Sequence, residues 1–423
     1  MILTDRSRHF KGLTHCNRAK FEEYLRGGFG IRPKSESIPL ATGTAIHAAI
    51  EPMLKTGMQR LCDRDEARAM IAASVEAYKK KCESRGFVET DADQVAFVIA
   101  EQSALIAGLA WAFYRVLLPW ILDEFEVLAV EQEVELVLGC TCGLGELIAG
   151  AAEHESRGCN GVALMSRGDL ICRRKSDQSV GAWDIKTSSY GFSANEHEHW
   201  VQMALSCIAA EKIVGEPVTH SYLIGLLKGK RDFQSKSDRE EGGLKKQNSV
   251  LCYAWHRPAD PPFTAEEWRY EYTREKGFSK VPVWMIGSDP ALAVEAWVMD
   301  TMPQEEVAES LSILGPSSRQ SWLEPDLLRG IEAEARRWAE PIVEREDASF
   351  ASVLEERFPR SWNCYPYGQA HGCAFIPICY HEGSVDPNDP LASGRFVRRE
   401  PHHAAESIAA EQAGWLGEEG EDE

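Results

Sequence analysis

From residue 103 to 122 the chain is apolar on almost every side, which predicts a buried helix broken near Pro119. The pattern then changes to alternation over 126–138, with Val127, Ala129 and Glu131 on one side and Leu128, Val130 and Gln132 on the other. A period of two predicts a strand. A loop rich in Gly and Cys follows, ending near Gly161, and short strands are predicted at 162–166, 169–173 and 181–187. A helix over 195–214 and a strand over 220–227 complete the series. This order predicts the α/β class, with a mixed central sheet flanked by helices. Residues 1–125 read as a helical N-terminal region, 126–229 as the core, and 230–310 as an insertion. Residues 311–385 read as a helical C-terminal region with a cysteine cluster, and 386–423 as a polar, acidic tail expected to be disordered.

Composition narrows the class. The 423 residues are 44% hydrophobic and 26% charged, which excludes a fibrous chain and wholesale disorder. With 46 Lys+Arg against 66 Asp+Glu the net charge is −20, which argues against a protein that coats nucleic acid non-specifically. A local basic groove remains compatible with that balance. The longest apolar run, over 104–114, falls short of the roughly 18–20 residues of a membrane span, so no membrane is expected. The first residues lack the apolar stretch of a signal peptide, so a cytoplasmic location is expected. Twelve cysteines in such a chain point to metal or free thiols before disulfides.

Four clusters can carry chemistry. In the first, Gly168-Asp169 precedes Trp183-Asp184-Ile185-Lys186-Thr187. On a strand, Asp184 and Lys186 share one face while Ile185 packs into the other. With Asp169 delivered from the preceding strand, two carboxylates stand beside one ammonium. Such carboxylates suit a hard cation such as Mg²⁺, and the lysine can hold or deprotonate a water aimed at a phosphodiester. The triplet alone is weak evidence, because an Asp beside a Lys on a strand is usually a solvated pair.

In the second cluster, Thr42 or Thr44 caps a helix beginning near Gly43, on which His47 and Glu51 share a face. Pro52 predicts a kink or an end. His47 is a candidate metal ligand or phosphate contact, against the plainer role of a hydrogen-bonded histidine. The third is Gln202, on the helix after the acid-x-Lys strand. The fourth is Cys364, Cys373 and Cys379, spaced C-x8-C-x5-C, with Cys16 near the other end of the chain. Four thiols suit an iron–sulfur cluster or a zinc ion. The plainer readings are buried free thiols, or a zinc completed by His371 or His381; Cys140-Thr141-Cys142 is a rival to Cys16.

Taken in order, these pieces resemble the PD-(D/E)XK nuclease superfamily, and within it the RecB-like exonucleases with a C-terminal iron–sulfur cluster, which include CRISPR-associated and phage nucleases. Cys16 opens a C-x-R helix, and Gly43-Thr44-Ala45-Ile46-His47 matches the G-x-x-x-H motif. Gly168-Asp169 matches the second motif, Asp184-Ile185-Lys186 the D-x-K, Gln202 the motif after it, and the cysteine triplet closes the series. The resemblance implies a restriction-endonuclease-like core and catalytic roles for His47, Asp169, Asp184, Lys186 and Gln202. It implies Mg²⁺ or Mn²⁺ held by His47, Asp169, Asp184 and the Ile185 carbonyl, and a 4Fe–4S cluster on Cys16, Cys364, Cys373 and Cys379, with zinc the lesser alternative.

The implied activity is metal-dependent exonuclease action on single-stranded DNA or duplex ends, in recombination, repair or phage DNA metabolism, with a helicase or recombination partner. The alternative is an inactive DNA-end-binding or scaffold subunit of a helicase–nuclease or CRISPR adaptation complex. Ser206 departs from the tyrosine that relatives carry four residues after the glutamine. Glu131 and Glu133 are both open as a further ligand. Arg173, Arg174, Lys175, Lys228, Lys230 and Arg231 either contact DNA or merely solvate, and Trp183 and Trp200 either stack on bases or pack in the core.

Overall fold

The computed structural model describes residues 2–6, 9, 16–26, 30–87, 95–140, 142, 151–188, 201–228, 232–233, 244–245, 253–256, 279–282, 290–339, 350–360, 373–380 and 385–399. Its main elements are β1 (Ile2–Asp5), α1 (Ile38–Gly57), α2 (Arg64–Arg85), α3 (Val95–Ala112), β2 (Phe125–Leu138), β3 (Val162–Arg174), β4 (Val180–Ser188), α4 (Val201–Val214), β5 (Val218–Leu227), β6 (Leu311–Ser318) and α5 (Glu324–Ala339). They fall into two units interleaved in sequence. The smaller comprises Met1–Ser35, Glu133–Arg167 and Gln320–Glu423; the larger comprises Glu36–Gln132 and Gly168–Arg319.

The larger unit is a mixed α/β layer structure. The end of β3 runs antiparallel to β4, β4 runs parallel to β5, and β6 adds antiparallel to β5. Parallel neighbours need a crossover, and α4 supplies it. Side chains of β3 and β4 alternate between the two faces by residue parity, and on β5 a register shift between the Val180 and Gly181 pairings puts Val218 and Tyr222 on opposite faces. Cys172, Trp183, Ile185, Tyr222 and Ile224 pack with α1, α2 and α3, while Ile171, Ala182 and Val218 pack with Cys207 and Ala210 of α4. Period-two strands buried on both faces read as continuous apolar runs, and this sheet does. The fold is therefore the expected central mixed sheet flanked by helices.

The helix expected over 103–122 is observed, with its break moved. A wide π turn at Phe113–Leu117 separates α3 from a last helical segment, Leu118–Glu124. Arg115 reaches from that turn to the carbonyls of Val298 and Met302. Pro119 sits in the first turn of the last segment, where a missing N–H costs nothing. Among the described residues, the run Val98–Glu124 alone is long and apolar enough to cross a membrane, and 67% of its apolar window is buried inside the protein.

Helix α1 starts at Ile38 with Pro39 in its first turn, before the Thr42/Thr44 caps expected from sequence, and continues through Pro52 to Gly57. Ala49, Ile50, Met53 and Leu54 flank that proline and are all buried, so packing holds the helix past it. Strand β6 was hidden because Gly315 and Pro316 break its alternation, and its register against β5 shifts between Leu314 and Ser317.

In the smaller unit β1 pairs in parallel with the start of β3. Lys20 and His9 both bond Glu334 of α5, at 2.8 and 2.7 Å, and His9 stacks on Trp338. Burial raises the Glu334 carboxyl's pKa, but the bonds from His9 and Lys20 outweigh it and hold the group below its ordinary value. These pairs tie the N-terminal segment to α5.

Candidate active site

Strand β4 turns Trp183 and Ile185 into the core formed with α1–α3, which leaves Asp184 and Lys186 on the α4 side. Asp184 is only 1% exposed. Its Oδ1 accepts hydrogen bonds from Lys186 Nζ at 3.0 Å and from Gln202 Nε2 at 2.8 Å; Lys186 Nζ is also 3.0 Å from Oδ2. Gln202 reaches it from the first turn of α4. Asp169, on β3, accepts the Ile185 backbone N–H at 2.8 Å through Oδ2. The acid of one strand is thereby fixed to the peptide between the acid and the lysine of the next.

Helix α1 brings the imidazole. It approaches β4 closely at Gly43, where a Cβ would stand 3.2 Å from Thr187 Oγ1. One turn later His47 Nδ1 lies 3.4 Å from Glu131 Oε1. Glu131 sits inside β2 with φ +49°, a left-handed backbone that a non-glycine residue adopts at a cost of about 1–3 kcal/mol. Strain of that kind persists where the surroundings over-determine it, and here it accompanies a carboxylate beside an imidazole. Donor atoms of His47, Glu131 and Asp169 all lie within 4.8 Å of one another. Two carboxylate oxygens and one imidazole nitrogen at that separation fit a small divalent cation such as Mg²⁺ or Mn²⁺.

All five residues named from sequence lie in the larger unit. His47 and Asp169 share the three-donor group with Glu131; Asp184, Lys186 and Gln202 form a second hydrogen-bonded group, joined to the first through Ile185. Among the described residues, Asp184 is not one of the mutually close donors. Of Glu131 and Glu133, Glu131 is the one beside His47. Nothing in the alternating pattern marks it, since its aim depends on the local φ. Glu51 pairs with Lys55 along its own helix and is not among the close donors.

Arg173 bonds Glu126 and Glu216, Arg174 lies over the Phe125 ring, and Lys175 Nζ bonds the Leu122 carbonyl. Burial lowers the Lys228 pKa. Trp183 is core: it stacks on Tyr222 at 4.2 Å and meets Phe125 edge-on. Lys230, Arg231 and Trp200 lie outside the described residues.

In the metal-free protein His47 titrates above its ordinary 6.5. Burial pulls it down, but the Glu131 hydrogen bond and the charge of Asp169 raise it further, with Lys186 opposing. A raised value means that the folded state binds the proton more tightly. The pair therefore stabilises the fold below pH 6.5, and that contribution disappears as pH climbs through the folded value. Glu131→Gln is expected to lower the His47 midpoint in an imidazole NMR titration of metal-free protein. An unmoved midpoint would show that Glu131 is not its cause.

The cysteines lie in the smaller unit. Cys16 precedes a short helix, Asn17–Lys20, and with Cys373 borders a core of Ala19, Phe375, Ile378 and Phe396. The Cys379 thiol is pushed up to about 12 by burial, then by the charges of Cys16, Glu22 and Cys373. Cys364 lies outside the described residues, as do His371 and His381. The structure groups Cys140 and Cys142 with His154 and Cys159, partners that the sequence reading did not assign to them.

Comparison with curated proteins finds no match to the chain. The family model of the PD-(D/E)XK nuclease superfamily matches residues 9–380, a span that contains α1, both acid-bearing strands, α4 and Cys16, Cys364, Cys373 and Cys379. With most of its length covered and a mixed sheet presenting the acid-x-Lys strand, this chain belongs to the PD-(D/E)XK nuclease superfamily.

Proposed function

We propose that the protein is a Mg²⁺- or Mn²⁺-dependent DNA exonuclease with a 4Fe–4S cluster, acting in recombination, repair or phage DNA metabolism. The observation that carries the reading is the linkage of the two groups: Asp169 bonded to the peptide of Ile185, between an Asp184 held by Lys186 and Gln202, beside the His47–Glu131 pair. Glu131, Asp169 and His47, with Asp184 and the Ile185 carbonyl, would hold the cation. When bound, the cation supplies a Lewis acid that neutralises charge on the scissile phosphate.

The rest is work for the chain's own groups. Lys186 orients the attacking water and moves its proton, being one-third exposed while its partner carboxylate is buried. Gln202 braces Asp184 so that the carboxylate keeps one rotamer. Cys16, Cys373 and Cys379, with Cys364, would carry the cluster as a staple; the family order of motifs and the packing of Cys16 and Cys373 against one small core support that reading.

The test is incubation with end-labelled single- and double-stranded DNA and with closed circular DNA, under Mg²⁺, Mn²⁺ or EDTA. Release of nucleotides from ends that requires the cation, with closed circles intact, is the expected result. Undiminished cleavage in EDTA, or none with either cation, would remove the proposal. Anaerobic protein should be brown and contain iron and sulfide; colourless protein without iron would remove the cluster alone.

A further inference from the structure

We infer that the smaller unit contains a second metal site, in which one zinc ion is held by Cys140, Cys142, His154 and Cys159. The residues follow C-x-C-x11-H-x4-C. Cys140 and Cys142 come directly after β2, His154 lies in a short helix, Ala151–Ser156, and Cys159 precedes β3. A tight turn folds Cys159 back onto that helix: its N–H donates to the His154 carbonyl at 3.0 Å, and Gly158 takes φ +69° to allow it.

The donor atoms converge. Cys140 and Cys142 Sγ are 3.0 Å apart, and His154 Nδ1 is 3.0 and 3.2 Å from them. All four donors, Cys159 included, lie within 4.8 Å of one another. His154 is fully buried, and its Nε2 has no hydrogen-bond partner among the described residues. Its Nδ1, the nitrogen that meets both thiols, is the one placed to act as a ligand. Ligation by Nδ1 gives that orientation a cause.

The spacing decides between one ion and a cluster. Four donors about 2.0–2.3 Å from a tetrahedral ion stand close together, as these do. In a 4Fe–4S cube each thiolate binds a different iron, which spreads the donors. Three thiolates and one imidazole select zinc by softness, and four protein ligands close its coordination, the pattern of a structural site. Its effect is to join the end of β2 to the approach to β3, the strands that carry Glu131 and Asp169. It shares no ligand with the Cys16, Cys373 and Cys379 set.

The full-length protein, purified without chelator, is expected to hold one equivalent of zinc at this site by elemental analysis. Its zinc-edge absorption should fit three sulfurs near 2.3 Å and one nitrogen near 2.0–2.1 Å. His154→Cys should retain the ion and shift the fit to four sulfurs. Cys159→Ser should lose it, while Cys172→Ser, a buried thiol of the larger unit, should not. If Cys159→Ser does not fold, the wild-type absorption fit and the spectrum of Co²⁺-substituted protein still decide the matter. Absence of zinc with no Co²⁺ uptake, an unshifted fit in His154→Cys, or a Cys140–Cys142 disulfide found by mass spectrometry would overturn the assignment.

Discussion

Lys186→Ala is expected to slow cation-dependent DNA hydrolysis by about 10²–10⁴-fold, the usual range for a positioned proton-transfer group. The geometry makes the substitution informative in two ways. Lys186 Nζ is 3.0 Å from both oxygens of a buried carboxylate, so its removal also leaves Asp184 with the Gln202 N–H as its remaining bond of the pair described here. Lost activity in the alanine variant therefore mixes chemistry with a disturbed ion pair. Lys186→Gln separates the two, because it keeps a donor to Asp184 and removes the charge and the titratable proton. The glutamine variant should unfold near the wild-type midpoint in denaturant and still be inactive. Hydrolysis within about tenfold of wild type in Lys186→Gln would show that the lysine does no proton work.

The second large effect is on stability. Trp183→Ala is expected to cost about 3–5 kcal/mol, measured by chemical unfolding, the range for deleting a buried large aromatic. Trp183 is 1% exposed and packs against Tyr222, Phe125 and Trp120 with ring centroids 4.2, 4.8 and 5.8 Å away. Against a typical total of about 5–15 kcal/mol this is a large share. Its Nε1 has no hydrogen-bond partner among the described residues, so Trp183→Phe loses volume but no hydrogen bond and should cost less. A cost under about 1 kcal/mol for alanine would show that the cavity collapses without penalty. The residue adjoins Asp184, so the same variant should also lower activity at temperatures well below its unfolding midpoint.

Much of the core was legible because its strands announce themselves. Val127, Ala129 and Val130 alternate or run apolar, and β2, β4 and β5 occur within two residues of where the pattern put them. Strands 162–166 and 169–173 were separated in sequence by Arg167 and Gly168, which suggest a turn, yet the backbone runs through as one strand. Strand β1 is four residues long, too short for any period to show. Strand β6 belongs to the sheet by pairing with β5, and its own sequence, broken at Gly315-Pro316, does not require that.

The candidate site divides the same way. Asp184 and Lys186 share a face because any strand imposes it, and His47 follows a glycine by four because helix geometry does. Those relations are local, and the amino-acid order alone dictates them. Which carboxylate meets His47 is a different kind of question. Glu131 reaches it through a left-handed backbone within a strand, and Asp169 is aimed by a bond to a peptide sixteen residues on. The same holds for Cys140, which the sequence offers as a rival to Cys16 and the fold seats beside His154 and Cys159. Sequence determines what each short segment prefers, since those preferences depend on neighbours a few residues away. Long-range pairing chooses the partners, because a contact between distant segments is set by how whole elements pack and by no period that either segment carries.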